Sequence, residues 1–156
     1  MKILVMGLPG SGKTTLATVL ARELGCAHYN ADKVREHFND WDFSAEGRLR
    51  QAHRMSDLAD QHEMAICDFV CPLPEMRDIF NADVVIWMDT IEEGRFSNTN
   101  KIFVEPDEYD LRFTLWNSGN IDIVLDYLGD SSCMKKTALF TKTAPAHAAL
   151  KNGLMR

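Results

Sequence analysis

The chain opens with the apolar run Lys2-Ile-Leu-Val-Met6, which glycine cuts off at strand length. Leu16, Val19, Leu20 and Leu24 then recur at helical spacing and stop at Gly25, predicting a helix close behind the strand. A short apolar stretch at 26–29 predicts a second strand, and Asp32 is placed to cap a helix over 33–38. Trp41 and Phe43 fall in a loop. Ser44 caps a longer helix from about 45 to 62, whose apolar face is Leu49, Ala52, Met55, Leu58 and Ala59. Residues 64–70 read as a buried strand, Pro72 and Pro74 punctuate it, and a short helix runs to Phe80. A clear strand spans 83–88. The segment 90–107, rich in Asn, Ser, Thr and Glu, predicts a mobile loop with one helical turn. A last strand is expected at 111–114 and a last helix at 122–128, ending at Gly129.

Strands that alternate with helices imply a mostly parallel sheet covered on both faces. In such sheets ligands bind beyond the carboxyl ends of the strands. The segments 7–15, 30–35, 68–72 and 89–95 all follow strand ends, so all should face one crevice.

The first of these segments carries chemistry of its own. Gly7-Leu8-Pro9-Gly10-Ser11-Gly12-Lys13-Thr14-Thr15 fits the phosphate-loop pattern G-x-x-x-x-G-K-S/T, set between a strand and a helix as that pattern requires. Gly7, Gly10 and Gly12 let backbone N–H groups surround phosphate oxygens, and the new helix turns its positive end to the same anion. Lys13 reaches the β- and γ-phosphates, and the Thr14 hydroxyl can ligate Mg²⁺. The expected ligands are therefore ATP and Mg²⁺. The expected fold is a phosphate-loop NTPase three-layer sandwich with five strands and helices on both faces.

Composition narrows the partners. With 156 residues, 46% hydrophobic and 26% charged, the chain is long enough for one globular domain with a real core. No apolar run is of membrane-spanning length and no signal peptide fits the start, so no membrane partner is expected. The four cysteines form no C-x-x-C pair and suit a reduced, cytoplasmic setting. The net charge is −6, and the basic residues Lys135, Lys136, Lys142, Lys151 and Arg156 gather beyond 129. The body at 1–129 is thus strongly acidic and unsuited to extended nucleic acid, which needs a positive groove. Residues 130–156 read as a basic appendage, helical or partly disordered. A small-molecule substrate is the expected partner, with a homodimer left open.

Phosphoryl transfer needs a carboxylate to orient the acceptor hydroxyl and cations to offset charge. Asp32 and Asp68 are the carboxylate candidates, both also able to serve Mg²⁺. Asp32 alternatively serves as a plain N-cap, whereas Asp68 interrupts an apolar strand, where a charge is costly without a partner. Arg35, Arg48 and Arg77 could hold an anionic acceptor, though helical arginines are more often solvated. Trp41 and Phe43 could sandwich a purine or simply anchor their loop. Arg95 and Lys101 lie where a lid would bring a cation to the transferring group.

These motifs together resemble the adenylylsulfate kinase family over about 3–128. Asn30-Ala-Asp-Lys-Val-Arg35 resembles the family's Asp-Gly-Asp-Asn-Val-Arg. Phe43-Ser-Ala-Glu-Gly-Arg48 resembles Phe-Ser-x-x-x-Arg, and Phe69-Val-Cys-Pro72 resembles Phe-Ile-Ser-Pro. The resemblance implies that Asp32 is the metal and acceptor aspartate and that Lys13, Asp32 and Arg95 are catalytic. It implies an acceptor pocket of Arg35, Phe43, Arg48, Gln51, Phe69, Val70, Cys71 and Arg77, with Phe43 stacking on adenine. The reaction implied is transfer of the γ-phosphoryl group of ATP to the 3′-hydroxyl of adenylylsulfate. Departures are visible: Asn30 stands for an aspartate, Gln51 for an asparagine, Cys71 for a serine and Pro74 for an arginine. The lid is shorter and leaves Arg95 as its evident cation. The alternatives are a kinase for a nucleoside, nucleotide or polynucleotide 5′ end, a nucleotide-gated switch, or a degenerate kinase kept for binding.

Overall fold

The computed structural model describes residues 1–129; the basic appendage expected at 130–156 lies outside the described residues. The elements are β1 (Lys2–Met6), α1 (Lys13–Leu24), β2 (Ala27–Asn30), α2 (Ala31–Phe38), α3 (Ala45–Ala59), β3 (Ala65–Asp68), α4 (Pro74–Phe80), β4 (Val84–Met88), α5 (Ser97–Ile102), β5 (Leu111–Phe113) and α6 (Gly119–Gly129).

The five strands form one sheet in the order β2-β3-β1-β4-β5, and every pairing is parallel. β1 is central and buried along its whole length. Its side chains alternate between faces, as the strand period of two demands. Ile3 and Val5 join Leu16, Leu20, Val124 and Leu128 beneath α1 and α6. Leu4 and Met6 join Val34, Met55, Met76 and Phe80 beneath α2, α3 and α4. Two apolar cores thus sandwich the sheet, in the three-layer α/β architecture of the phosphate-loop fold.

Several boundaries differ from the sequence reading for identifiable reasons. The second helix starts at Ala31, because Asn30 rather than Asp32 is its cap: Asn30 Oδ1 accepts from the Lys33 N–H at 3.1 Å. Asp32 falls inside the first helical turn and is exposed. Ser44 caps α3 by accepting from the Gly47 N–H, but that helix stops at Ala59, short of 62. His62 therefore lies beyond it, hydrogen-bonded with the Tyr29 hydroxyl at 2.7 Å. The last helix begins at Gly119, earlier than expected.

Candidate functional site

The carboxyl ends of β1, β2, β3 and β4 open on one crevice, as the strand order predicts. The loop after β1 passes through positive φ at Gly7, Gly10 and Gly12. Gly7 has the least room: a Cβ there would lie 2.4 Å from Met88 O, so the loop must hug the end of β4. Thr90 Oγ1 donates to Ser11 O at 2.7 Å and ties that loop to the chain leaving β4. Lys13 begins α1 and its Nζ donates to Leu8 O across the loop at 3.0 Å. Burial pulls its pKa down from 10.5 to about 8, against the opposing fields of Asp68 and Asp32, while Arg95 pushes the same way as burial.

Asp68 ends β3 with 1% exposure, which would be costly for a lone carboxylate. Three donors converge on it. Thr14 Oγ1 lies 2.9 Å from Oδ1, Asn30 Nδ2 lies 2.9 Å from the same oxygen, and His28 Nε2 lies 2.5 Å from Oδ2. Asn30 Nδ2 also lies 3.1 Å from Thr14 Oγ1. The register explains the meeting: Asn30 and Asp68 are paired positions on neighbouring strands, and Asp68 shares a sheet face with Ile66, toward α1. Sequence reading singled out Asp68 and Thr14 but missed His28. Its signal was present, since a spacing of two puts His28 and Asn30 on one strand face.

A cleft of about 620 Å³ adjoins the loop, lined by Lys13, Thr14 and Asp68 on one side and by Asp32, Arg35, Phe43 and Arg48 on another. Trp41, Gln51, Phe69, Val70, Cys71 and Arg95 also face it. Arg35 is 4% exposed, and its Nη1 donates to Asp40 O and Asp42 O, each at 3.1 Å. Arg48 Nε donates to Phe43 O at 3.0 Å. Both guanidiniums lie against the Phe43 ring, at 4.3 and 5.4 Å from its centroid. Two buried cations thus hold up the loop that carries Trp41 and Phe43, both about half exposed. Burial lowers the pKa of each arginine, and both keep their charge. Gln51 Nε2 donates to Ala31 O at 3.0 Å, and its Oε1 is buried without a protein partner.

Arg77, expected in the acceptor pocket, does not line this cleft. Its guanidinium donates to the carbonyls of Cys71, Pro72 and Val104, bracing the backbone behind the cleft. Cys71 sits at φ 48°, and burial pushes its thiol pKa far up, so the sulfur is an inert wall group. The 90–107 segment carries the helical turn expected of it. It contains α5, and Asn100 closes a reciprocal amide pair with Gly94: the Gly94 N–H donates to Oδ1 and Nδ2 donates to Gly94 O, both at 2.9 Å.

Mg²⁺ takes oxygen ligands and is usually held by one or two carboxylates together with substrate phosphates. Thr14, Asp68 and Asp32 offer only oxygen, and no cage of three acidic, His or Cys side chains exists among the described residues. This donor set fits a cation shared with a nucleotide.

The sheet order and the loop between β1 and α1 define the fold of a phosphate-loop kinase. The chain belongs to the AAA domain family, which it matches over residues 3–112. Among solved structures, the Mycobacterium tuberculosis APS kinase CysC in complex with AMPPNP and APS superposes with a TM-score of 0.72. The two are 24% identical, over 83% of this chain and 97% of that one. A second structure of the same kinase gives 0.65 at 25% identity, covering 83% and 96%. Shikimate kinase from Aquifex aeolicus gives 0.58 at 17% identity, covering 83% and 97%. The expected likeness to adenylylsulfate kinases is therefore found in the fold. A comparison with curated proteins gives no match. No helix among the described residues is long and apolar enough to cross a membrane.

Proposed function

We propose that the protein is an ATP-dependent kinase for a small hydroxyl acceptor, and that this acceptor is adenylylsulfate, phosphorylated at its 3′-hydroxyl. The observation that carries the reading is the Phe43 ring backed by Arg35 and Arg48 in the same cleft as Lys13 and Asp32. A planar base can stack on an aromatic face, and cations behind the ring suit a ligand that also bears negative charge.

In this reading the phosphate loop holds the triphosphate, and Lys13 with Arg95 offsets charge on the transferring group. Thr14 and Asp68 would hold Mg²⁺, which neutralises phosphate oxygens when bound. Asp32, exposed on the first turn of α2, orients the acceptor hydroxyl and takes its proton as the oxygen attacks the γ-phosphorus. The bond to the β-phosphate oxygen breaks and ADP leaves. The product is 3′-phosphoadenylylsulfate, an activated sulfate donor, which would place the enzyme in sulfate assimilation.

A second reading, a kinase for another hydroxyl acceptor, draws on one observation. Arg35 and Arg48, the two arginines on the acceptor side of the cleft, both donate to backbone carbonyls, which favours an acceptor with less anionic charge. Labelled ATP and Mg²⁺ offered with adenylylsulfate, nucleosides, nucleotides and a 5′-hydroxyl oligonucleotide in parallel separate the two. Label on adenylylsulfate supports the first reading, and label only on another acceptor overturns it.

A further inference from the structure

We infer that His28 is a positioning residue for the metal side of this site: it holds Asp68 so that one carboxylate oxygen is presented to the Thr14 hydroxyl. This rests on the nucleotide and Mg²⁺ half of the proposed function and is independent of the acceptor.

A carboxylate only accepts hydrogen bonds, so Nε2 of His28 bears the hydrogen shared with Asp68 Oδ2 at 2.5 Å. That contact occupies the oxygen turned away from Thr14. The other oxygen, Oδ1, is left to Thr14 Oγ1 and Asn30 Nδ2. The hydroxyl then has a defined state. Its hydrogen goes to Asp68, one lone pair takes Asn30 Nδ2 at 3.1 Å, and the other is left for a cation in the cleft that Thr14 lines. Without His28 the carboxylate would have a buried oxygen with no donor, and rotation about the Cβ–Cγ bond would relieve that cost at the expense of the Thr14 contact. His28 itself is fixed. It stands opposite Ile66 in the β2–β3 ladder, two residues before Asn30, and its side chain is only 20% exposed. Among the described residues, His28 is the one hydrogen-bond partner of Oδ2. Loss of a partner that orients a metal-binding group typically costs about ten- to a hundredfold in metal affinity.

The test uses two polar variants of similar size. In His28→Gln the terminal amide reaches the place of Nε2; in His28→Asn the amide nitrogen takes the place of Nδ1 and falls short. Affinity for a non-hydrolysable ATP analogue is measured by calorimetry with Mg²⁺ and again with EDTA, alongside thermal unfolding. His28→Asn is expected to weaken Mg²⁺-dependent binding about tenfold or more, with binding in EDTA within twofold of wild type. His28→Gln is expected to retain most of the Mg²⁺ effect. Equal losses with and without Mg²⁺, equal behaviour of the two variants, or no change in either would overturn the assignment. A wild-type protein that binds the analogue equally well in Mg²⁺ and EDTA would instead overturn the metal reading of the site, and this inference with it.

Discussion

At the scale of single residues, two carboxylates that look alike in sequence have different surroundings. Asp68 is buried and takes hydrogen bonds from Thr14, Asn30 and His28, whereas Asp32 is exposed on a helical turn facing the cleft. The proposed mechanism therefore separates their roles. Asp32→Asn is expected to lower kcat by roughly a hundredfold or more while leaving nucleotide affinity within twofold, as measured by steady-state kinetics and calorimetry. Activity that survives this change would move the orienting role to another group. Lys13 yields a second prediction. Its pKa of about 8 lies below the unfolded value of 10.5, so its charged form is the one that folding disfavours. From this group alone, stability rises as pH climbs from about 8 to 10.5, where the unfolded chain holds more protons. Phosphate favours the ammonium form, so nucleotide binding near pH 9 should take up a proton at Lys13. Calorimetry in buffers of different ionisation enthalpy reads that uptake, and Lys13→Met should abolish it.

At the scale of elements, the acceptor side depends on how α3 presses against the loop before it. Gly47 lies in the first turn of that helix, and a Cβ there would meet Asp42 O at 2.2 Å. The same carbonyl accepts from Arg35, so the close approach and the guanidinium together seat Phe43. Gly47→Ala should push this loop outward at a cost of about 1–3 kcal/mol. The expected signature is an acceptor KM raised several-fold with nucleotide affinity unchanged. A variant that alters both equally would show that the loop serves the whole cleft. The capping of α2 was misread in sequence for a related reason. Asn30 and Asp32 are both good caps, and the choice fell to Asn30 because its amide also bonds Asp68 and Thr14. Arg77 lies outside the cleft lining because a guanidinium's direction is not encoded in its position after a strand; three carbonyls take it.

At the scale of the whole molecule, the sheet separates two cores that each lock a layer of helices. Phe80 is fully buried in the core under α3 and α4, packed edge-on against Phe69 at 5.5 Å. Phe69 lines the cleft, so this packing links the acceptor wall to the fold. Phe80→Ala should destabilise the protein by about 3–5 kcal/mol, seen as a lower urea midpoint with an unchanged m value. A shift of well under 1 kcal/mol would mean that the layer beneath α4 collapses to fill the gap.

The parallel α/β sandwich, the phosphate loop and the four strand ends that meet at one crevice were all legible in the chain. These follow from local signals: apolar periods of two and of helical spacing, a glycine pattern, and the rule that parallel strands share an open end. Tertiary structure alone decided which side chains meet there. Asn30 and Asp68 are far apart in the chain and become neighbours through register, and only that register lets His28 and Thr14 bond one buried carboxylate. It also turned Arg77 onto backbone carbonyls and kept Arg35 beneath Phe43. The physical reason is the same in each case. A buried polar group must find partners wherever packing supplies them, and those partners come from other strands and loops that no local pattern specifies.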